Sequence, residues 1–207
     1  MDESKEKAIL MAAVHEFAVK GFDQASTNQM ARSAGVSKGL IFHYFESKEK
    51  LFEASVDYAL KFTLKELDYE NWHLTKHVIA DIKQICETEF RFYKTYPDIY
   101  RFILSALIRP PKTLSEKMKK LFRELMDTTP AFVEQTIDRL DLKEGVDREV
   151  LKAVLVSHYE YYAKETLGYF KTHPGATFEE IMPYVDKLLA MLTMSLHGLV
   201  KNDEDLK

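Results

Sequence analysis

Apolar residues recur along this chain at intervals of three and four, so the pattern predicts helices nearly throughout. The first runs from Ser4 to Lys20, with Ile9, Ala12, Ala13 and Phe17 among its apolar positions, and stops at Gly21. Thr27 is read as the N-cap of a second, short helix in which Met30, Ala31 and Ala34 share a face. Gly35 follows where the chain must leave that helix with a positive φ, and Val36 can tuck under the turn. Ser37 caps a third helix, Lys38 to Phe45, and Ser47 a fourth reaching about Tyr69. Leu51, Phe52, Val56, Ala59, Leu60 and Leu64 line one side of that fourth helix.

Further along, a connection containing Asn71 and Trp72 precedes a helix from Leu74 to Tyr96, which carries Val78, Ile82, Ile85, Phe90 and Tyr93. Pro97 ends it and starts another, which reaches Ile108 before the break Arg109-Pro110-Pro111. Thr113 and Glu116 form a capping-box signature for the next helix. Pro130 either kinks the following segment or divides it in two, and division is preferred because an interior proline loses a hydrogen bond and clashes with the preceding turn. Asp147 caps a long helix to about Thr172, and His173-Pro174-Gly175 breaks it. Thr177 and Glu180 make a second capping box, ahead of a last helix from Pro183 to Val200 with proline in its first turn.

The order of cap, small residue, glycine and cap in Ser26 to Phe45 is that of a helix-turn-helix, since two steeply crossing helices need a residue like Ala31 at closest approach. The wording SKGLIFHYF followed by SKEKLF resembles the TetR family of bacterial transcriptional regulators. About 27 residues carry that match, and the segment before them fits the family's first helix. The resemblance implies an all-α fold with two domains. Residues 1–50 would be a three-helix DNA-binding head, and residues 51–207 a larger helical body for effector binding and dimerisation.

The second helix of such a motif enters the DNA major groove. Ser37, Lys38 and Gly39 stand at its start; Lys38 suits guanine or phosphate, and Gly39 permits close backbone approach. Leu40 stands at the family's variable, base-facing position, where it either touches a thymine methyl or simply packs. His43 and Tyr44 can donate to phosphates, Thr27 combines cap and phosphate contact, and Lys48 is the best phosphate anchor outside the recognition helix. Ile41 and Phe45 are core. Phe42 stands where the family usually has tyrosine, so that hydroxyl contact is lost and Phe42 is assigned to packing. Arg32 is a solvated or intrahelical charge.

Charge qualifies this picture. The 207-residue chain carries a net −4, unlike a general nucleic-acid binder. Residues 1–50 hold seven Lys/Arg and seven Asp/Glu, for a net of zero, while residues 24–50 hold four against two, a local +2. Affinity from one head is therefore modest, and two half-sites are needed. Hydrophobic content of 46% with 30% charged residues is globular, and seven glycines and six prolines leave little material for an all-β fold. Cys86 is alone, which points to a reducing, cytoplasmic setting. The N-terminus MDESKEK is too polar for a signal peptide. The apolar run Leu188 to Val200 is too short to cross a bilayer, so no membrane partner is expected.

The resemblance also implies partners: double-stranded operator DNA, a small effector and a second copy of the chain. The last two long helices would pair with their copies, and Leu188, Leu192, Ser195 and Leu196 form the candidate dimerisation stripe. Phe90, Tyr93, Met118, Phe122, Met126 and Tyr162 are candidate walls for an apolar or aromatic effector. His73, His77 and Asp81 lie four apart, but a metal is not expected, nor any other cofactor. No phosphate loop, nucleophile elbow or carboxylate pair suggests an enzyme. An all-helical lipid-binding or enzymatic module under a vestigial helix-turn-helix stays open as the competing reading.

Overall fold

The computed structural model describes residues 3–68, 74–126, 129–173, 176–177 and 179–206, without the side chains of Phe122, Leu125, Met126 and Asp205. Ten α-helices follow in order among them. They are α1 (Glu3–Gln24), α2 (Thr27–Ser33), α3 (Lys38–Phe45), α4 (Lys48–Leu67), α5 (Val78–Thr95), α6 (Pro97–Ile108), α7 (Glu116–Met126), α8 (Thr129–Arg139), α9 (Arg148–Thr172) and α10 (Met182–Leu196). The described part contains no strand, only an isolated antiparallel bridge between Leu142 and Val200. The all-α expectation holds. The chain forms two compact units, residues 1–69 with 92–122 and residues 70–91 with 123–207, so α5 contributes to both.

In the first unit α1 packs against α2, α4 and α6. Its core is aromatic: Phe17 stacks on Phe102 at 5.8 Å and meets Phe52 edge-on at 5.1 Å, and Phe22 meets Phe52 at 5.4 Å. Phe17 is 1% exposed, a burial whose loss on truncation to alanine typically costs about 3–5 kcal/mol. A second aromatic group joins Phe62 of α4 to Phe92 and Tyr96. Leu64, expected on the inner face of α4, points outward instead; Thr63 and Leu67 take the buried positions. Thr63 can do so because its hydroxyl donates to the Ala59 carbonyl at 2.9 Å.

The second unit has an aliphatic core. Val78, Ile79 and Ile82 of α5 meet Val133 and Ile137 of α8, Leu151 and Leu155 of α9, and Leu188, Leu192 and Leu196 of α10. Asp147 caps α9 as expected, accepting from the amides of Glu149 and Val150. Pro130 falls in the first turn of α8, where its missing N–H costs nothing. The Thr113–Glu116 capping box does not form. Ser115 takes its place and accepts from the Met118 amide at 3.2 Å. Glu180 accepts from the Thr177 amide at 2.7 Å, but the turn it serves is a short 3-10 segment, Glu179–Ile181, ahead of α10. Gly198, at φ 79°, turns the chain after α10, and Lys143 and Lys201 amides donate to the Leu199 and Asp141 carbonyls, 2.8 Å each.

The turn between α2 and α3 is a Schellman closure. The Val36 amide donates to the Ala31 carbonyl at 3.0 Å, and the Gly35 amide to Arg32 at 3.1 Å. Gly35 sits at φ 66°, a left-handed conformation, with open space where a Cβ would stand. Gly35→Ala is therefore expected to meet backbone strain and no clash, costing about 1–2 kcal/mol, measurable as a lowered midpoint in thermal denaturation.

Candidate nucleic-acid interface

Three serines place the reading head. Ser26 Oγ accepts from the Gln29 amide at 3.4 Å, Ser37 Oγ from Leu40 at 3.2 Å and Ser47 Oγ from Lys50 at 3.1 Å. Each satisfies an amide that the first turn of a helix leaves without a carbonyl. The first of these corrects the sequence reading: the cap of α2 is Ser26, and Thr27 is the first helical residue. The tetrad Ser26-Thr27-Asn28-Gln29 carries the capping-box wording that would have signalled it.

The recognition helix α3 sorts its eight residues by the 100° step of an α-helix. Ile41 and Phe45 are buried. Gly39 and His43, two positions away, face the opposite side and are exposed. Lys38 and Phe42 form one flank, the Lys38 ammonium lying 5.7 Å from the centre of the Phe42 ring. Leu40 and Tyr44, both half-buried, form the other, with the His43 and Tyr44 rings 5.4 Å apart. The outward ridge thus holds a glycine and an imidazole, with the exposed Lys38 ammonium on its flank, a surface that admits close approach and offers donors. Thr27 is half-buried and Ser37 exposed on the same head. Arg32 is exposed.

Lys48 is placed differently from a free surface cation. It stands in the first turn of α4, donates to the Asp23 carbonyl at 3.2 Å and lies 5.0 Å above the Phe22 ring. An ammonium has three donors, so one contact leaves two for a phosphate.

The sequence profile of the bacterial regulatory proteins of the tetR family matches residues 9–55, which span most of α1, all of α2 and α3, and the start of α4. Over those residues the chain is similar to the TetR family. The matched segment contains the whole helix-turn-helix of α2 and α3. Among curated relatives it is 22% identical over 197 residues to the HTH-type transcriptional regulator YerO of Bacillus subtilis, covering 95% of this chain and 66% of YerO. It is 28% identical over 130 residues to the regulator RutR of Escherichia coli, covering 63% of this chain and 60% of RutR. The chain therefore spans about two thirds or less of the length of these two relatives. Among solved structures, SmeT, the repressor of the Stenotrophomonas maltophilia multidrug efflux pump SmeDEF, shares the fold. Its TM-score is 0.60 at 19% identity, covering 97% of this chain and 94% of SmeT.

The residues expected to contact an effector do not gather in one compact unit. Tyr93, Met118 and Phe122 belong to the first, and Phe90, Met126 and Tyr162 to the second. Met118 is buried, Tyr93 meets Phe92 and Tyr100 ring to ring, and the Phe122 and Met126 side chains lie outside the described residues. Tyr162 packs against the aliphatic core of the second unit beside Cys86 and Tyr159. Burial pushes the Cys86 thiol up to about 12 and raises both phenols. All three are neutral at ordinary pH, which makes Cys86 a poor nucleophile. The Tyr159 hydroxyl is secluded from solvent with no hydrogen-bond partner among the described residues, a polar atom that composition alone did not single out.

The residues of the expected dimerisation stripe are engaged within the chain. Leu188, Leu192 and Leu196 are 4%, 2% and 1% exposed because they fill the chain's own core. Ser195 is held by His158, Nε2 to Oγ 2.7 Å. The outward apolar residues are Val150, Val154 and Tyr161 of α9, and Met194 of α10, which is 79% exposed. Of the His73, His77 and Asp81 trio, His73 lies outside the described residues. Asp81 is engaged at the start of α5, accepting from the amide and hydroxyl of Thr75. No helix among the described residues is long and apolar enough to cross a membrane.

The corrected cap is directly testable. Ser26→Ala is expected to cost about 1 kcal/mol, whereas Thr27→Ala leaves folding stability within a few tenths of that value. Chemical denaturation of both variants measures the difference.

Proposed function

We propose that this chain is a ligand-responsive transcriptional repressor that reads a pseudo-palindromic operator as a homodimer and leaves it on binding a small apolar or aromatic effector. The observation that carries the reading is the outward ridge of α3, where Gly39 and His43 stand away from the Ile41–Phe45 anchor and the exposed Lys38 flanks them. Ser37, Leu40 and Tyr44 border that ridge, and Thr27 and Lys48 bracket it as phosphate contacts. Residues 24–50 carry a local charge of only +2 within a head of net zero, so phosphate attraction from one copy is weak and a second head is needed. The repressor assignment leans on the likeness to SmeT, itself named as a repressor.

Dimerisation is assigned to the outer faces of α9 and α10. Val150, Val154 and Tyr161 lie on the side of α9 away from its buried Leu151 and Leu155. A helix with apolar residues on both faces buries the second against something. The occupant proposed here is the same surface of a second copy, an isologous pairing that suits a two-fold operator. The aromatic content of the body, with the partnerless hydroxyl of Tyr159, favours an effector that is largely apolar and bears a hydrogen-bonding group.

Selection of duplexes from a randomised pool by the purified protein should return an inverted repeat. Recovery of single half-sites, or of no sequence at all, would count against the reading. On the recovered duplex, Lys38→Ala and Lys48→Ala should each reduce the slope of log affinity against log salt by about one. A slope equal to that of the unaltered protein would remove that lysine from the phosphate contacts. The double substitution Val154→Glu and Met194→Glu should convert the dimer to monomer in light scattering and abolish tight operator binding. A dimer that persists would place the interface elsewhere.

A further inference from the structure

A carboxylate lies buried in the apolar face of α1. Glu16 falls between Ala13 and Phe17 and is 8% exposed. Removing a charge from water is costly unless hydrogen bonds compensate, so its contact is informative. Glu16 Oε1 accepts from the backbone amide of Ser26 at 3.0 Å. Ser26 is the N-cap of α2, the first helix of the DNA-reading pair.

In an ordinary capping box the N-cap side chain serves the amide three residues on, and the side chain at that third position reaches back to the N-cap amide. Only the first half is local here: Ser26 Oγ accepts from Gln29. The second half is delivered from α1, ten residues upstream, by Glu16. The same construction recurs in this unit, where Glu53 of α4 accepts from the amide of Ser115, the residue whose hydroxyl caps the start of α7. A local box stabilises a helix wherever that helix happens to lie. A box closed from another helix also fixes where it lies. Lys48 grips the end of α1 from α4 through the Asp23 carbonyl, so the passage from α1 into α2 is held on one side by an ammonium and on the other by a carboxylate, from different helices.

We propose that Glu16 is a positioning residue for DNA reading: its buried carboxylate sets the N-terminus of α2, and with it Thr27 and the packed recognition helix, at the placement that specific binding requires. The inference rests on the operator reading above. Glu16 makes no phosphate contact in this scheme, and its negative charge would oppose one. Its effect therefore travels through the Ser26 amide and depends on reach.

Three substitutions separate reach from charge. Glu16→Gln keeps the reach and an acceptor oxygen without the charge, Glu16→Asp keeps the charge but falls one methylene short, and Glu16→Ala removes both. On the duplex enriched by the unaltered protein, Glu16→Gln should bind within about threefold. Glu16→Asp and Glu16→Ala should weaken by about tenfold, the scale set by loss of a charge-assisted hydrogen bond. Salt slope and affinity for random-sequence DNA should not change, because no phosphate contact is lost. Amide exchange at Ser26 should quicken in the Asp and Ala variants alone.

A merely stabilising role would lower the melting temperature but leave operator affinity intact at temperatures where the variants are folded, and that result would overturn the proposal. So would Glu16→Asp binding as tightly as the unaltered protein, or Glu16→Gln binding as weakly as Glu16→Asp. If Glu16→Ala does not fold, the Asp and Gln pair still decides. A pool that yields no enriched duplex would sink the operator reading and this inference together. An enriched duplex bound equally by all variants would sink this inference alone.

Discussion

A helix leaves its first amides without carbonyl partners, and a protein built almost wholly of helices meets that constraint at every element. In the reading head it is answered by Ser26, Ser37 and Ser47, three caps spaced 11 and 10 residues apart. These caps fix where α2, α3 and α4 begin, and the left-handed Gly35 fixes how α2 turns into α3. Between such hard boundaries α3 has only eight residues, two turns, so its inner pair Ile41 and Phe45 is enough to set which side faces out. The chemistry of the outward ridge follows from that short count.

The head gains its rigidity from an aromatic core and not from charge. Phe17, Phe22, Phe52 and Phe102 bring α1, α4 and α6 together, and ion pairs on the same unit are surface contacts such as Lys61 with Asp57, worth little individually. Polar groups matter where they reach backbone amides in part-buried places. Glu16 and Glu53 do so from helices distant in sequence, and each ties a helix start to another helix. This gives a weakly charged head the means to hold a defined reading geometry, on which specificity depends more than raw attraction does.

The body illustrates how a stripe of apolar residues underdetermines its own neighbour. Leu188, Leu192 and Leu196 suit a subunit interface and a core equally well in spacing and size. The second unit uses them against Val78, Val133 and Leu155, leaving Val150, Val154 and Met194 outside. Periodicity identifies a face; it does not say what covers it. The aromatic residues pose the same difficulty more strongly. Rings such as Tyr93 and Tyr162 are spread over two compact units that composition could not delimit.

Local chemistry was legible where one short stretch contains both the cause and the consequence. The sequence by itself determined the all-helical class, the boundaries of α3, α6 and α9 and the glycine turn, because caps, prolines and glycines act within a turn of where they stand. It placed the α2 cap one residue late, at Thr27, since Ser26 and Thr27 carry the same hydroxyl chemistry and only backbone geometry distinguishes them. Tertiary structure alone decided that Glu16 closes the cap of α2, that Lys48 leans on Phe22 and Asp23, and that the leucines of α10 face inward. Those outcomes depend on distances between residues far apart in the chain, and a periodic pattern carries no record of such distances.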